Sequence, residues 1–171
     1  MADWQNFFLQ KMGTDGSGNA WPVKESVAEW GIFCKDIPFV LFGKVKEPAK
    51  RQWPDEHGDE EYVPSGLYLE AYTIKIEFGC KKVVGNDIAK YGTGSAVDDV
   101  RAKVGAFLSY LRTGQFKIYS SYTRIGRQYV RLESVSDGAT WKTNDNGEFL
   151  VFEVSLKVND PVTDVTLSVG N

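Results

Sequence analysis

A single histidine, His57, lies in the most acidic stretch of this 171-residue chain, Asp55-Glu56-His57-Gly58-Asp59-Glu60-Glu61. Histidine among carboxylates is the raw material of general acid–base or nucleophilic catalysis and of metal ligation. Neither chemistry fits the setting. A Ser/His/Asp or Cys/His site needs its histidine held rigidly against a nucleophile, and this one stands in a charged segment, Lys44 to Gly66, that holds three prolines. The run lacks the alternating donors and terminal glutamate of a calcium loop, and one histidine without companions makes no zinc site. Gly92-Thr93-Gly94-Ser95 leads into helical sequence, but Val97 and Asp98 stand near the place of the third glycine of a dinucleotide fingerprint. No Walker-type lysine spacing and no paired-carboxylate geometry is readable. The expectation is a protein without catalytic residues, cofactor or metal, and not an enzyme.

What remains is the chemistry of contact. From Lys44 to Gly66 the charge is first basic (Lys44, Lys46, Lys50, Arg51) and then acidic (Asp55, Glu56, Asp59, Glu60, Glu61), with Trp53 and Tyr62 between and after. A stretch of that length inside a compact domain is usually functional or disordered. It is read as an arm or extended hairpin ordered by a neighbouring subunit, with Lys46, Lys50, Arg51, Trp53, Asp55, Glu56, Asp59, Glu60, Glu61 and Tyr62 as contact residues. Opposite charges in succession suit head-to-tail contact between identical chains. Trp141 is a further aromatic expected in a polar loop, where such residues suit protein interfaces. Two polar strand faces, Thr73/Lys75/Glu77 and Glu153/Ser155/Lys157, are the other candidates for contact.

These residues must be positioned by a framework, and its clearest element is a helix. Between Ser95 and Gly114 the apolar residues Val97, Val100, Val104, Phe107, Leu108 and Leu111 recur at steps of three and four. Ser95 with Asp98 supplies an acidic version of a capping box, and Gly114 ends the helix. On both sides the period switches to two. Residues 67–82 place Tyr72, Ile74, Ile76, Phe78 and Cys80 on one face, and Glu148–Val158 places Leu150, Phe152, Val154, Leu156 and Val158 likewise. Further strands are expected at Gln115–Ser121, at Gln128–Ser136 and, entered through a proline and centred on Ile37–Phe42, at residues 32–45. Phe7, Phe8, Leu9 and Met12 are read as a short amphipathic helix with Asp3 as cap, Asp137–Gly147 as a polar turn region, and the tail, through Val165, Leu167 and Val169, as an edge strand.

Length, a 42% apolar share and a 25% charged share fit one soluble domain. Within it an N-terminal aromatic segment (1–31), a core (32–160), the arm (44–66) and a C-terminal tail (161–171) are distinguished. A net charge of −3 gives no electrostatic reason to expect binding to a phosphate backbone, although a local basic patch could exist, and no sequence-specific nucleic-acid binding is expected. No run approaches the length needed to span a bilayer, and the start lacks the pattern of a secretory signal, so a cytoplasmic product with no membrane partner is expected. Cys34 and Cys80 lack metal or redox spacing and are read as buried free thiols.

Taken in order, Ile37-Pro-Phe-Val-Leu-Phe42, a long charged loop, Leu69-Glu-Ala-Tyr-Thr-Ile-Lys-Ile-Glu-Phe78, a helix ending Phe107-Leu-Ser-Tyr-Leu111, Phe116-Lys-Ile-Tyr119, Ile125-Gly-Arg-Gln-Tyr-Val-Arg131 and Phe149-Leu-Val-Phe-Glu-Val-Ser-Leu-Lys-Val158 resemble the tail-tube, tail-terminator and distal-tail superfamily of tailed bacteriophages. The resemblance covers about residues 37–160. It implies an α+β, mainly β fold: an antiparallel β-sandwich or partly closed barrel flanked by one main helix (95–113). It also implies a hexameric ring around the tail channel, built in the bacterial host cytoplasm and carried in the virion tail. Its partners would be copies of itself and other tail proteins, with DNA passing through the channel. The long loop would be the inter-subunit arm, and Thr73, Lys75, Glu77, Glu153, Ser155 and Lys157 a lumen or interface face. The aromatic content of 13% leaves one alternative, a monomeric β-sandwich that binds carbohydrate or peptide.

Overall fold

The structure, a computed structural model, describes residues 4–81, 83–84, 87–88, 94–144 and 147–170. In chain order its elements are β1 (Phe8–Lys11), β2 (Lys24–Glu25), α1 (Ser26–Trp30), β3 (Ile32–Cys34), β4 (Lys50–Arg51), β5 (Glu60–Glu61), β6 (Tyr72–Lys81), β7 (Val83–Val84), β8 (Asp87–Ile88), α2 (Gly94–Leu111), β9 (Phe116–Ser120), β10 (Ile125–Val135), β11 (Thr140–Asn144) and β12 (Gly147–Val158). The fold is α+β and mainly β: one strongly curled antiparallel sheet forms a half-barrel that carries two helices.

The sheet runs β2-β1-β9-β10-β12-β6-β3, and β11 also pairs with β12. Its spine is the β12–β6 pair, in register from Phe149 opposite Lys81 to Val158 opposite Tyr72. On the other edge of β12, β10 takes residues 154–158 and β11 takes residues 147–151, so 125–158 is one long hairpin with an interruption after β10. There the Ser136 N–H donates to the Glu153 carbonyl at 2.8 Å. Alternation along β6 and β12 puts Ile74, Ile76, Phe78 and Cys80 beside Leu156, Val154, Phe152 and Leu150 on a single face. That face receives α2.

Phe107 of α2 is fully buried and meets four rings: Phe78 at 5.2 Å, Trp30 at 5.4 Å, Phe7 at 6.0 Å and Phe152 at 6.3 Å between centroids. Tilted and edge-on arrangements of this kind match the quadrupoles of the rings. Val100 and Leu111 are buried on the same side, with Val104 and Leu108 half-buried against the core. The helix thus covers the sheet as its period predicts. It begins at Gly94, one residue before the predicted cap; the side chains of Ser95, Val97 and Asp98, and the Gly92-Thr93 turn before them, lie outside the described residues. At the other end Gly114 has φ +135°, a backbone region that glycine tolerates best.

Four expectations are corrected. The Phe7–Met12 helix is a strand: Phe7 and Leu9 are buried while Phe8 and Gln10 point the other way, and Phe8–Lys11 pairs with Tyr119–Phe116 of β9. The N-terminal segment therefore belongs to the core. Ile37–Phe42 is not a strand. Pro38 supplies no N–H, the Phe39 N–H donates to the Ile37 carbonyl at 2.8 Å in a tight turn, and Leu41 and Phe42 stand 65% and 91% exposed. The strand expected over residues 32–45 is confined to its first residues, Ile32–Cys34, bonded to β6. The supposed turn region 137–147 contains β11. The C-terminal tail forms no strand either.

Instead the tail is a strap across β10. The Val165 N–H donates to the Gly126 carbonyl at 3.3 Å, Leu167 is buried, and the Arg127 guanidinium pairs with the Asp164 carboxylate. A methyl group on Gly126 would collide with the Val165 carbonyl, so the absence of a side chain there is what lets the strap lie down. Asp160 accepts from Gln128 Nε2 at 2.8 Å and from the Val162 and Thr163 N–H groups at 3.1 and 3.0 Å. Desolvation alone would raise its carboxyl, but these donors outweigh it and hold the carboxyl below its ordinary value.

Phe107→Ala should lower the unfolding free energy by about 3–5 kcal/mol, the usual cost of removing a buried phenylalanine, and by more than Leu108→Ala. Denaturant titration checks this; equal losses would mean that the aromatic cluster is not the centre of the core.

Candidate assembly surfaces

The arm is a two-stranded hairpin. Its base is laid by Glu70 N–H to Lys44 O at 2.7 Å, Lys46 N–H to Tyr68 O at 2.7 Å and the Val45–Leu69 bridge. Further out Tyr62 N–H donates to Ala49 O at 2.9 Å, and Lys50 and Arg51 stand opposite Glu61 and Glu60. Every residue from 49 to 63 is exposed, so the hairpin projects from the body rather than lying on it.

Its charges meet one another within the same chain. Lys50 Nζ is 3.8 Å from Asp59, Trp53 Nε1 donates to Glu60 at 3.2 Å, and the Arg51 guanidinium sits 5.0 Å over the Trp53 ring. The basic-then-acidic order of the sequence is thereby used in part to zip the hairpin, as well as being available to a neighbour. Exposed pairs of this kind contribute roughly 0–1 kcal/mol each. Lys46, Asp55 and Glu56 are exposed on the same hairpin, and His57 is at its tip. Beside the charges the arm exposes large apolar groups: Tyr62 is 74% and Tyr68 70% exposed, with Val63, Leu67 and, just before the arm, Leu41 and Phe42 also bare. Phe42 lies in a stretch whose hydrophobicity predicts a buried strand, and its exposure corrects that expectation.

The second set of residues comes together on the sheet face that α2 leaves open. Lys157, Ser155 and Glu153 of β12 stand directly opposite Thr73, Lys75 and Glu77 of β6, so two groups read from separate strands form one surface. Glu77 and Glu153 face each other across the strands, a like-charge pair that needs compensation. Lys35 and Lys142 approach Glu77 at 3.2 and 3.4 Å, and Lys75 approaches Glu153 at 3.7 Å. Lys35, Lys142 and Arg131, which stands opposite Lys157, were not among the sequence candidates. Only the strand register reveals that they share this face. Trp141 belongs to β11, not to a loop.

Chemistry of other kinds has little footing. Among the described residues no cluster of three or more His, Cys, Asp or Glu side chains could hold a metal ion. Cys34 and Cys80 are free and buried; burial pushes the thiols up to about 12 and about 11. At such values the nucleophilic thiolate is scarce. No helix among the described residues is long and apolar enough to cross a membrane. An open depression lined by Trp4, Asn6, Glu25, Phe33 and Tyr122 lies where β1 parts from β3.

No protein-family model, curated protein or solved structure matches the chain. The surfaces themselves must carry the functional reading.

A thiol-specific chromogenic reagent at pH 8 should label neither cysteine in the folded protein and both in denaturant. Fast labelling of the folded chain would contradict the burial of β3 against β6.

Proposed function

We propose that this chain is a structural subunit of a bacteriophage-type tail, of the terminator, tube or distal-tail kind, which assembles as a hexameric ring around the tail channel. The observation that carries the reading is the projecting hairpin 44–70 with its exposed Tyr62, Val63, Leu67 and Tyr68. A two-stranded hairpin alone in water is marginally stable, and contiguous exposed apolar groups favour a partner that covers them. The half-barrel with a helix on one face and a polar opposite face supplies the remaining features expected of such a subunit. On this reading the protein is no enzyme and takes no cofactor. Its partners are further copies and other tail proteins, DNA passes through the ring, and assembly in the host cytoplasm delivers it to the virion tail.

The rival reading, a monomeric module for carbohydrate or peptide, draws on the depression that carries Trp4, Phe33 and Tyr122, since aromatic rings on an open surface suit such ligands. Light scattering across a concentration series, with negative-stain microscopy, separates the two. The expected result is a ring-sized species that disappears when residues 47–63 are replaced by a short Gly-Ser linker while the thermal transition of the body persists. A strict monomer at every concentration would overturn the ring, and a ring that survives the deletion would overturn the role of the arm.

A further inference from the structure

We propose that the acidic tip of one copy's arm docks on the basic outer face of β6, β12 and β11 of the next copy. This rests on the ring reading, because the occupant is a second copy of the chain, and it specifies where the arm lands.

The chain segregates its charge although its total is only −3. Residues 50–61 hold five carboxylates against two cations, Lys50 and Arg51. Both of those cations face carboxylates of the same hairpin, which leaves the tip negative and exposed. The sheet face opposite α2 has the reverse balance. The register places Lys75, Lys157, Arg131 and Lys142 on it, with Lys35 and Lys81 at its border. Its two carboxylates, Glu77 and Glu153, are already approached by lysines of the same face. The surplus positive charge has no counterpart there, and the arm tip carries an exposed surplus of negative charge.

An arm cannot satisfy this face on its own body while residues 49–63 stand exposed, as they do here. It can reach a neighbour: at ~3.3 Å per residue the ten residues from Lys44 to Trp53, before the turn at the tip, span ~30 Å, most of the width of a domain of this size. The contact joins two different surfaces, acidic tip to basic sheet, so it is heterologous and propagates from subunit to subunit until a ring closes. Charge complementarity of this sort chooses the partner face and register and weakens with salt.

Charge reversal on both sides tests the pairing. A face variant (Lys75→Glu, Lys142→Glu, Lys157→Glu) and an arm variant (Asp55→Lys, Glu56→Lys, Glu61→Lys) are prepared in the full chain, and folding is verified by thermal melts. Each alone should self-associate at least tenfold more weakly than wild type by sedimentation velocity. An equimolar mixture should recover assembly, because the acidic arm of one then meets the basic face of the other. Should the triple face variant fail to fold, Lys142→Glu alone should weaken association in the same direction, and 0.5 M salt should weaken wild-type assembly. A face variant that assembles like wild type, or a mixture that stays apart, would overturn the inference. Where wild type assembles and the face variant does too, the inference alone falls and the ring stands. A wild type that never assembles removes both.

Discussion

The curled sheet depends on one residue at its seam. Gln5 exchanges backbone hydrogen bonds with Cys34 of β3, N–H to carbonyl at 2.8 and 2.9 Å in the two directions. Its side chain donates to the Lys35 carbonyl at 2.7 Å and accepts from the Ser120 hydroxyl of β9 at 3.2 Å. A few residues later the same strand pairs with β9. One extended segment therefore ties the two ends of the strand order together, and the edges that a curled sheet would otherwise leave open are in part joined here. The buried Ser26 reinforces the seam: its hydroxyl accepts from the Phe7 N–H at 3.0 Å, and its own N–H donates to the Phe7 carbonyl at 2.9 Å. Without that seam Phe7 would not stand between Phe78 and Phe107, and the aromatic cluster that seats α2 would lose one wall.

The seam also decides what the opposite face looks like. Trp4, one residue before Gln5, lies flat over Gly79 and stacks on Phe149, their planes within 3° of parallel. The ring fits because residue 79 has no side chain; a methyl group there would meet it at 3.1 Å. Trp4 thus shields the apolar end of the outer face of β6 and β12, near Phe149 and Gly79. The charged end, from Glu77 and Glu153 to Thr73 and Lys157, is left to water or to a partner. The division between apolar cover and polar surface runs along single strands, set by which residue of the N-terminal segment reaches them.

How much of this was legible follows from the reach of the interactions. α2, β6 and β12 carry their own signal, because each is long enough for its period to show, and each has one face in the core. The faces of Thr73/Lys75/Glu77 and Glu153/Ser155/Lys157 were legible for the same reason, but their union was not, since it depends on β6 meeting β12 in one register. Phe7-Phe8-Leu9 is too short to distinguish a period of two from one of 3.6. Its strand state comes from the hydrogen bonds of β9 and β2, over a hundred and about sixteen residues away in sequence. Ile37–Phe42 misled in the opposite sense. Its hydrophobicity was real, but Pro38 breaks the ladder and only Ile37 turns fully inward, with Phe39 half in and Phe42 left bare.

The arm then poses a question of affinity against selectivity. Its cross-strand pairs, Lys50 with Asp59 and Trp53 with Glu60, are exposed and weak, enough to bias a hairpin toward one shape but not to anchor it. A partner surface gains more from covering Tyr62, Val63 and Tyr68, at roughly 25 cal/mol per Å² of apolar area removed from water. Such burial is indifferent to which surface provides it. The charges are not: an arm with a carboxylate tip is repelled by the acidic hairpin of another copy and attracted by a lysine-bearing sheet face. In the proposed assembly of identical chains, where every subunit would offer the same apolar groups, the separation of the charges between tip and sheet would give the contact a direction.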